Sequence, residues 1–145
     1  MDRIDLIRDS SELDGTAYIE LLPGKYQGEC WGRHSVFLTE EAFGFFEKTV
    51  EKFAPAFDHY AFVEIARSTW ISILEEMAMT RKNVAAAGNV NELLPHVQFY
   101  YGESQKEFAE HFPENQEQLI RLFTEVAAWI ALQLETQNSI SVLGL

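Results

Sequence analysis

Between Thr16 and Leu22 the chain alternates, with Ala17, Ile19 and Leu21 on one side and Thr16, Tyr18 and Glu20 on the other, and Pro23-Gly24 closes the run. Period two ended by a turn dipeptide predicts a strand and its turn. After GECWG the run Arg33 to Leu38 alternates again, with His34, Val36 and Leu38 on one face and Phe37 on the other. The two runs are expected to pair antiparallel. Thr39 then precedes Glu40-Glu41, an N-cap hydroxyl followed by carboxylates where the helix dipole favours them. Phe43, Phe46, Val50 and Phe53 form an aromatic seam from there to Pro55, and Glu47, Lys48, Glu51 and Lys52 take the other side.

Tyr60 to Ile65 reads as a short strand leading into a helix that Ser68 or Thr69 can cap. That helix carries Trp70, Ile73, Leu74 and Met77 on one face and ends before Gly88. Val97, Phe99 and Tyr101 alternate with His96, Gln98 and Tyr100, which predicts a fourth strand with a polar outer face, stopped by Gly102. From Glu114 onward, Leu119, Leu122, Phe123, Val126, Ala127, Ile130, Ala131 and Leu134 make an apolar face too broad for a surface helix, so this helix is expected to be the central one. Ser139 to Leu143 can add a closing strand. The order is ββαβαβα with one further strand. It predicts a small α+β single domain, residues 1–145, with an antiparallel or mixed sheet packed against about three helices.

Composition changes this picture little. A chain of 145 residues, 47% hydrophobic and 23% charged, belongs to one globular domain without staples. One cysteine excludes an internal disulfide, and Asp2, Arg3, Asp5 and Arg8 stand where a secretion signal needs an apolar run, so a cytoplasmic location is expected. The run Val126 to Leu132 is far short of the roughly 18 residues that span a bilayer. Charge says more. The net −12 repels nucleic acid and anionic lipid and attracts basic partners, and beyond Lys82 eight glutamates face only Lys106 and Arg121.

Motifs for chemistry are sparse. Cys30 and His34 in GECWGRHS have a spacing that puts them on one strand face, but no Asn or Asp follows to orient the imidazole, and Trp31-Gly32 reads as the turn into the strand. On that reading Gly32 supplies backbone freedom, Trp31 packs at the sheet edge and Arg33 points to solvent. His59, His96 and His111 are widely separated, and the chain has no HExxH, CxxC, calcium loop, P-loop or dinucleotide fingerprint. No metal or cofactor is expected, and no catalytic residue is assigned. The remaining feature is a surface. In HVQFYYGESQKEFAEHFPENQEQ aromatic residues interleave with glutamates, so Tyr100 is expected as an outward anchor, with Glu103, Glu107, Glu110 and Glu114 as an acidic field for a basic protein partner.

The stretch SVFLTEEAFGFFEKTVEKF followed by DHYAFVEIARSTWISILEEM resembles small bacterial immunity proteins that accompany polymorphic toxins, contact-dependent growth inhibition toxins among them. The shared features are a strand feeding a capped helix and a short strand leading into a helix that opens near a Trp. They cover about half the chain. The resemblance implies an acidic, non-enzymatic protein that binds one cognate toxin domain, often a basic nuclease, and blocks it. It transfers no site residue. A regulatory interaction domain without a toxin, or a small enzyme or ligand-binding domain built from the aromatics and a glutamate, are the alternatives.

Overall fold

The computed structural model describes residues 3–145; Met1 and Asp2, and with Asp2 the first of the charges counted at the chain's start, lie outside them. Two strands, β1 (Tyr18–Pro23) and β2 (Val36–Thr39), lead into helix α1 (Glu40–Phe53). Strand β3 (Phe62–Ala66) runs straight into α2 (Arg67–Ala86), followed by a single turn α3 (Val90–Leu93) and helices α4 (Gly102–Glu110) and α5 (Phe112–Gln133). Strand β4 (Ser139–Leu143) ends the order. The fold is α+β. Its four strands form one antiparallel sheet in the order β2-β1-β4-β3.

The register explains which residues enter the core. Ile19 stands opposite Leu38, Leu21 opposite Val36 and Val142, and Ile65 opposite Ile140, so these aliphatic side chains share the helix-facing side of the sheet. All five residues of β4 are buried, because the tail strand lies inside the sheet between β1 and β3 rather than closing its edge. The opposite side is covered in part, with Phe62 and Glu64 of β3 exposed. The Gly24–Ser35 loop folds back over it, with the Tyr26 ring edge-on to Phe62 at 4.9 Å and the Ser141 hydroxyl donating to the Gly24 carbonyl at 2.7 Å. Ile7 exchanges two backbone hydrogen bonds with Phe37, at 2.9 and 2.8 Å, and so caps the outer edge of β2.

Several expectations need correction. His96 to Tyr101 is not a strand: it is the connection from α3 to α4, and His96 and Val97 donate backbone N–H groups to the Leu93 carbonyl. Of its alternating residues Val97 is buried, Tyr101 is exposed, and Phe99 is half-buried against helices, lying between the rings of Phe45 and Phe108 at 5.4 and 5.2 Å. Neither Ser68 nor Thr69 caps α2, which starts from extended Ala66 without a side-chain cap; the Arg67 N–H is taken by the Asn138 carbonyl at 2.8 Å. The helix touching the sheet, α1 and α5 alike is α2, whereas the broad face of α5 is covered chiefly by α2 and α4, and Ala131 on it is exposed. Thr39 does cap α1, its Oγ accepting from the Ala42 N–H at 3.1 Å.

Candidate functional site

The GECWGRHS segment is a loop, and β2 begins only at Val36. Cys30 and His34 are both exposed on it. At the Trp31-Gly32 turn the residue in the left-handed region is Trp31, with φ +60, rather than Gly32. Gly32 is required for space, since a Cβ there would lie 2.7 Å from Ser35 Oγ and 2.9 Å from Leu22 Cδ1. A buried carboxylate holds the turn: Glu20 Oε1 accepts from the Trp31 N–H at 2.7 Å and Oε2 from the Gly32 N–H at 2.9 Å. The Trp31 ring leans on Phe37 of the edge strand at 5.6 Å, as the turn reading expects. Cys30→Ser should therefore leave thermal stability within about 0.5 kcal/mol of the parent and binding unchanged. A loss of binding without unfolding would restore a role for the thiol.

Polar groups converge elsewhere, on α1. Glu40, Gly44 and Glu47 follow one another at spacings of four and three and so share a stripe of the helix. His59, from the loop before β3, lies against that stripe with its Nδ1 2.7 Å from Glu47 Oε1 and its Nε2 2.8 Å from Glu40 Oε2. Glu47 is 4% exposed and His59 9%. Glu47 therefore does not belong to the solvent side with Lys48, Glu51 and Lys52. It lies four residues past Phe43, about 40° further round the helix, which brings it beneath the packed loop.

Two tyrosines pack on the imidazole and a third joins the cluster through Glu40. Tyr100 stacks on it with ring centres 5.0 Å apart, and Tyr60 meets it edge-on at 4.9 Å. The Tyr101 hydroxyl donates to Glu40 Oε1 at 2.7 Å. Gly44 makes room for this arrangement, because a Cβ there would already be 3.2 Å from Tyr100 Cδ2. Tyr100 is thus turned inward onto His59, a correction to its expected place as an outward anchor, since no strand alternation operates there. The exposed rings are Tyr60, at 67%, and Tyr101, at 49%.

The electrostatics follow from the geometry. A neutral imidazole has one N–H and one lone pair, so it cannot donate to two carboxylates at once. The two short contacts fit an imidazolium donating to both. Burial acts to lower the His59 pKa, but hydrogen bonds and charge from Glu40 and Glu47 outweigh it and hold the ring above its ordinary value. Burial likewise pushes the Glu47 carboxyl up, against the pull of His59. Tyr100 is raised well above the ordinary phenol by burial and then by its bond to Tyr60. Tyr101 is pushed up to about 12, chiefly by its bond to Glu40. With both ring nitrogens engaged, His59 presents no free lone pair to act as a base. The two carboxylates meet opposite edges of the ring, and among the described residues no group of three or more His, Cys, Asp or Glu is gathered to hold a metal ion.

The sequence-predicted acids lie beside this cluster. Glu103 is in the first turn of α4, two residues after Tyr101, and Glu107 and Glu110 continue its stripe at spacings of four and three. Glu103, Glu110 and Glu114 are exposed, while Glu107 is half-buried. Glu114 stands across a corner in the first turn of α5, where the Asn115 side chain donates to the Phe108 carbonyl at 3.3 Å. Two grooves of about 300 and 330 Å³ lie on the surface, one bordered by Arg3, Asp14 and Tyr18, the other by Asn89, Gln105 and Lys106. Neither is lined by His59 or the three tyrosines.

No protein-family model, curated protein or solved structure matches the chain. No helix among the described residues is long and apolar enough to cross a membrane.

Sequence reasoning names Glu40 as a first-turn acid, sets Glu47 with Glu40 and Glu51 on an outer face that is the second candidate interface, and leaves His59 isolated, so it does not bring the three together. One signal for them is Gly44, a residue that costs about 1 kcal/mol in a helix interior and marks a close approach by another group. The doublet Tyr100-Tyr101 supplies the group that approaches.

Proposed function

We propose that this chain is a cytoplasmic inhibitor of the immunity type, which binds a basic protein partner, a toxin domain, and blocks it without catalysis of its own. The observation that carries the reading is the pairing of two exposed tyrosines, Tyr60 and Tyr101, with the acidic stripe that begins at Glu103, in a chain of net charge −12. Tyrosine brings large contact area with few rotatable bonds, and here the rings start from fixed positions: the Tyr101 hydroxyl is bound to Glu40 and Tyr60 rests on His59. Glu103, Glu107, Glu110 and Glu114 give the approach its charge. Such a field draws cationic partners together faster and repels nucleic acid, which leaves a protein as the partner.

The test is co-purification with a basic toxin domain encoded beside the gene, followed by surface kinetics at two salt concentrations. Reversing Glu103 and Glu110 to Lys should slow association and flatten its salt dependence, because rim charges act through steering. Tyr60→Ala and Tyr101→Ala should instead speed dissociation, each by roughly 2 kcal/mol. A complex indifferent to salt and to all four substitutions places the interface elsewhere and removes this reading.

A further inference from the structure

His59 joins three segments that are separate in the chain. It takes Glu40 and Glu47 from α1, lies in the loop before β3, and stacks beneath Tyr100 from the α3–α4 connection. Glu40 has its two oxygens divided between His59 and Tyr101. The position of the exposed Tyr101 ring is therefore tied to the bond state of His59 through a single carboxylate. The titratable groups that act on this cluster are acids: Glu40 and Glu47 on α1, with Glu51 and Glu41 further off, Tyr60 and Tyr100 against the ring, and Tyr101 through Glu40, while the Phe43 ring flanks the imidazole at 6.4 Å. Beyond β4 the Leu145 N–H donates to the His59 carbonyl at 3.1 Å. The imidazolium is the sole cation among these groups.

We propose that His59 is a proton-operated latch on the tyrosine surface: as the imidazolium it bridges Glu40 and Glu47 and fixes Tyr101 through Glu40, and on losing its proton it drops one carboxylate and frees the Tyr100–Tyr101 segment. The chemistry is a single proton exchange with solvent. Deprotonation leaves one N–H for two carboxylates, so one of them faces a lone pair at hydrogen-bond distance and must turn away. Two like charges, the Glu47 one buried and the Glu40 one half-buried, then lose the cation between them. Because the folded ring holds its proton more tightly than the unfolded one, whose value is 6.5, the linked stability is complete below that pH and is lost as pH rises through the raised folded value. Tyr101 itself stays protonated throughout this range, its hydroxyl being pushed up to about 12.

The consequence for partner binding, weaker binding at alkaline pH, rests on the surface proposed above; the latch does not, and it is tested on the isolated protein. Ring resonances of His59 and Tyr101 are followed by NMR between about pH 5 and 9. His59 should titrate above 6.5, and the Tyr101 ring signals should move with the same midpoint. In His59→Gln that Tyr101 midpoint should vanish. A His59 midpoint at or below 6.5, or a Tyr101 ring blind to it, overturns the latch. Should His59→Gln fail to fold, Tyr101→Phe removes only the bond to Glu40: the ring at that position should then show no midpoint, and a surviving one overturns the coupling through Glu40. A positive titration without any partner bound at either pH would leave the latch standing and remove the binding reading alone.

Discussion

Glu47→Ala should destabilise the fold by about 3 kcal/mol, the scale expected when one partner of a buried charge pair is removed. The simple seam pattern of α1, which places Glu47 with the lysines, predicts a change within about 0.5 kcal/mol. The difference comes from burial. Glu47 is 4% exposed and accepts from His59 Nδ1 at 2.7 Å, so its loss leaves a buried ring nitrogen facing a cavity. Glu47→Gln should fall between the parent and Ala, because the amide oxygen can still accept from Nδ1 while the countercharge is gone. Glu51→Ala, on the exposed side of the same helix, is the control and should stay within about 0.5 kcal/mol. Urea midpoints at neutral pH decide it. Equal midpoints for Glu47→Ala and Glu51→Ala would mean that the Glu40–His59–Glu47 bridge contributes nothing.

Strand β1 and helices α1, α2 and α5 are legible because apolar residues mark the side packed on the core and so write its period into the sequence, while β2 is read from Val36 and Leu38 although all four of its residues are buried. Beginning from Thr39, even the capping hydroxyl can be read. The tail SISVL is harder, since a strand buried on both faces has no alternation to show that it is central. The stretch Val97 to Tyr101 errs in the opposite sense. It alternates, yet Phe99 is covered by Phe45 and Phe108 from two helices, so the pattern records burial without recording a sheet.

The polar cluster is illegible for a different reason. Glu40, His59 and Tyr101 come from segments whose distance in space depends on how the loops close over α1. Helical spacing sets Glu47 with Lys48, Glu51 and Lys52 and cannot show that a loop lies over it. Tyr100 shows the cost: alternation assigns it to solvent, and the missing Cβ of Gly44 is what admits its ring against the helix. The acids Glu103, Glu107 and Glu110 are more easily read, since a stripe on one short helix needs only its own spacing.

Phe46→Ala is expected to have the largest effect of any single truncation considered, about 3 to 5 kcal/mol, the range for deleting a buried aromatic ring. Phe46 is 2% exposed, meets Phe43 edge-on at 5.0 Å and reaches Phe123 of α5 at 6.0 Å. Those contacts join the first helix to the last across the core, and neither neighbour can fill the space without leaving its own packing. Lys48→Ala, exposed two residues on, should stay within about 0.5 kcal/mol, and similar thermal melts for the two would show that α1 docks through another face. A second readout separates packing from the site. Glu40 and Glu47 ride on the same helix as Phe46, so a loosened α1 should let His59 titrate closer to 6.5 even while the protein remains folded. An unchanged His59 midpoint in a clearly destabilised Phe46→Ala protein would show that the carboxylate bridge holds its geometry without the aromatic seam beneath it.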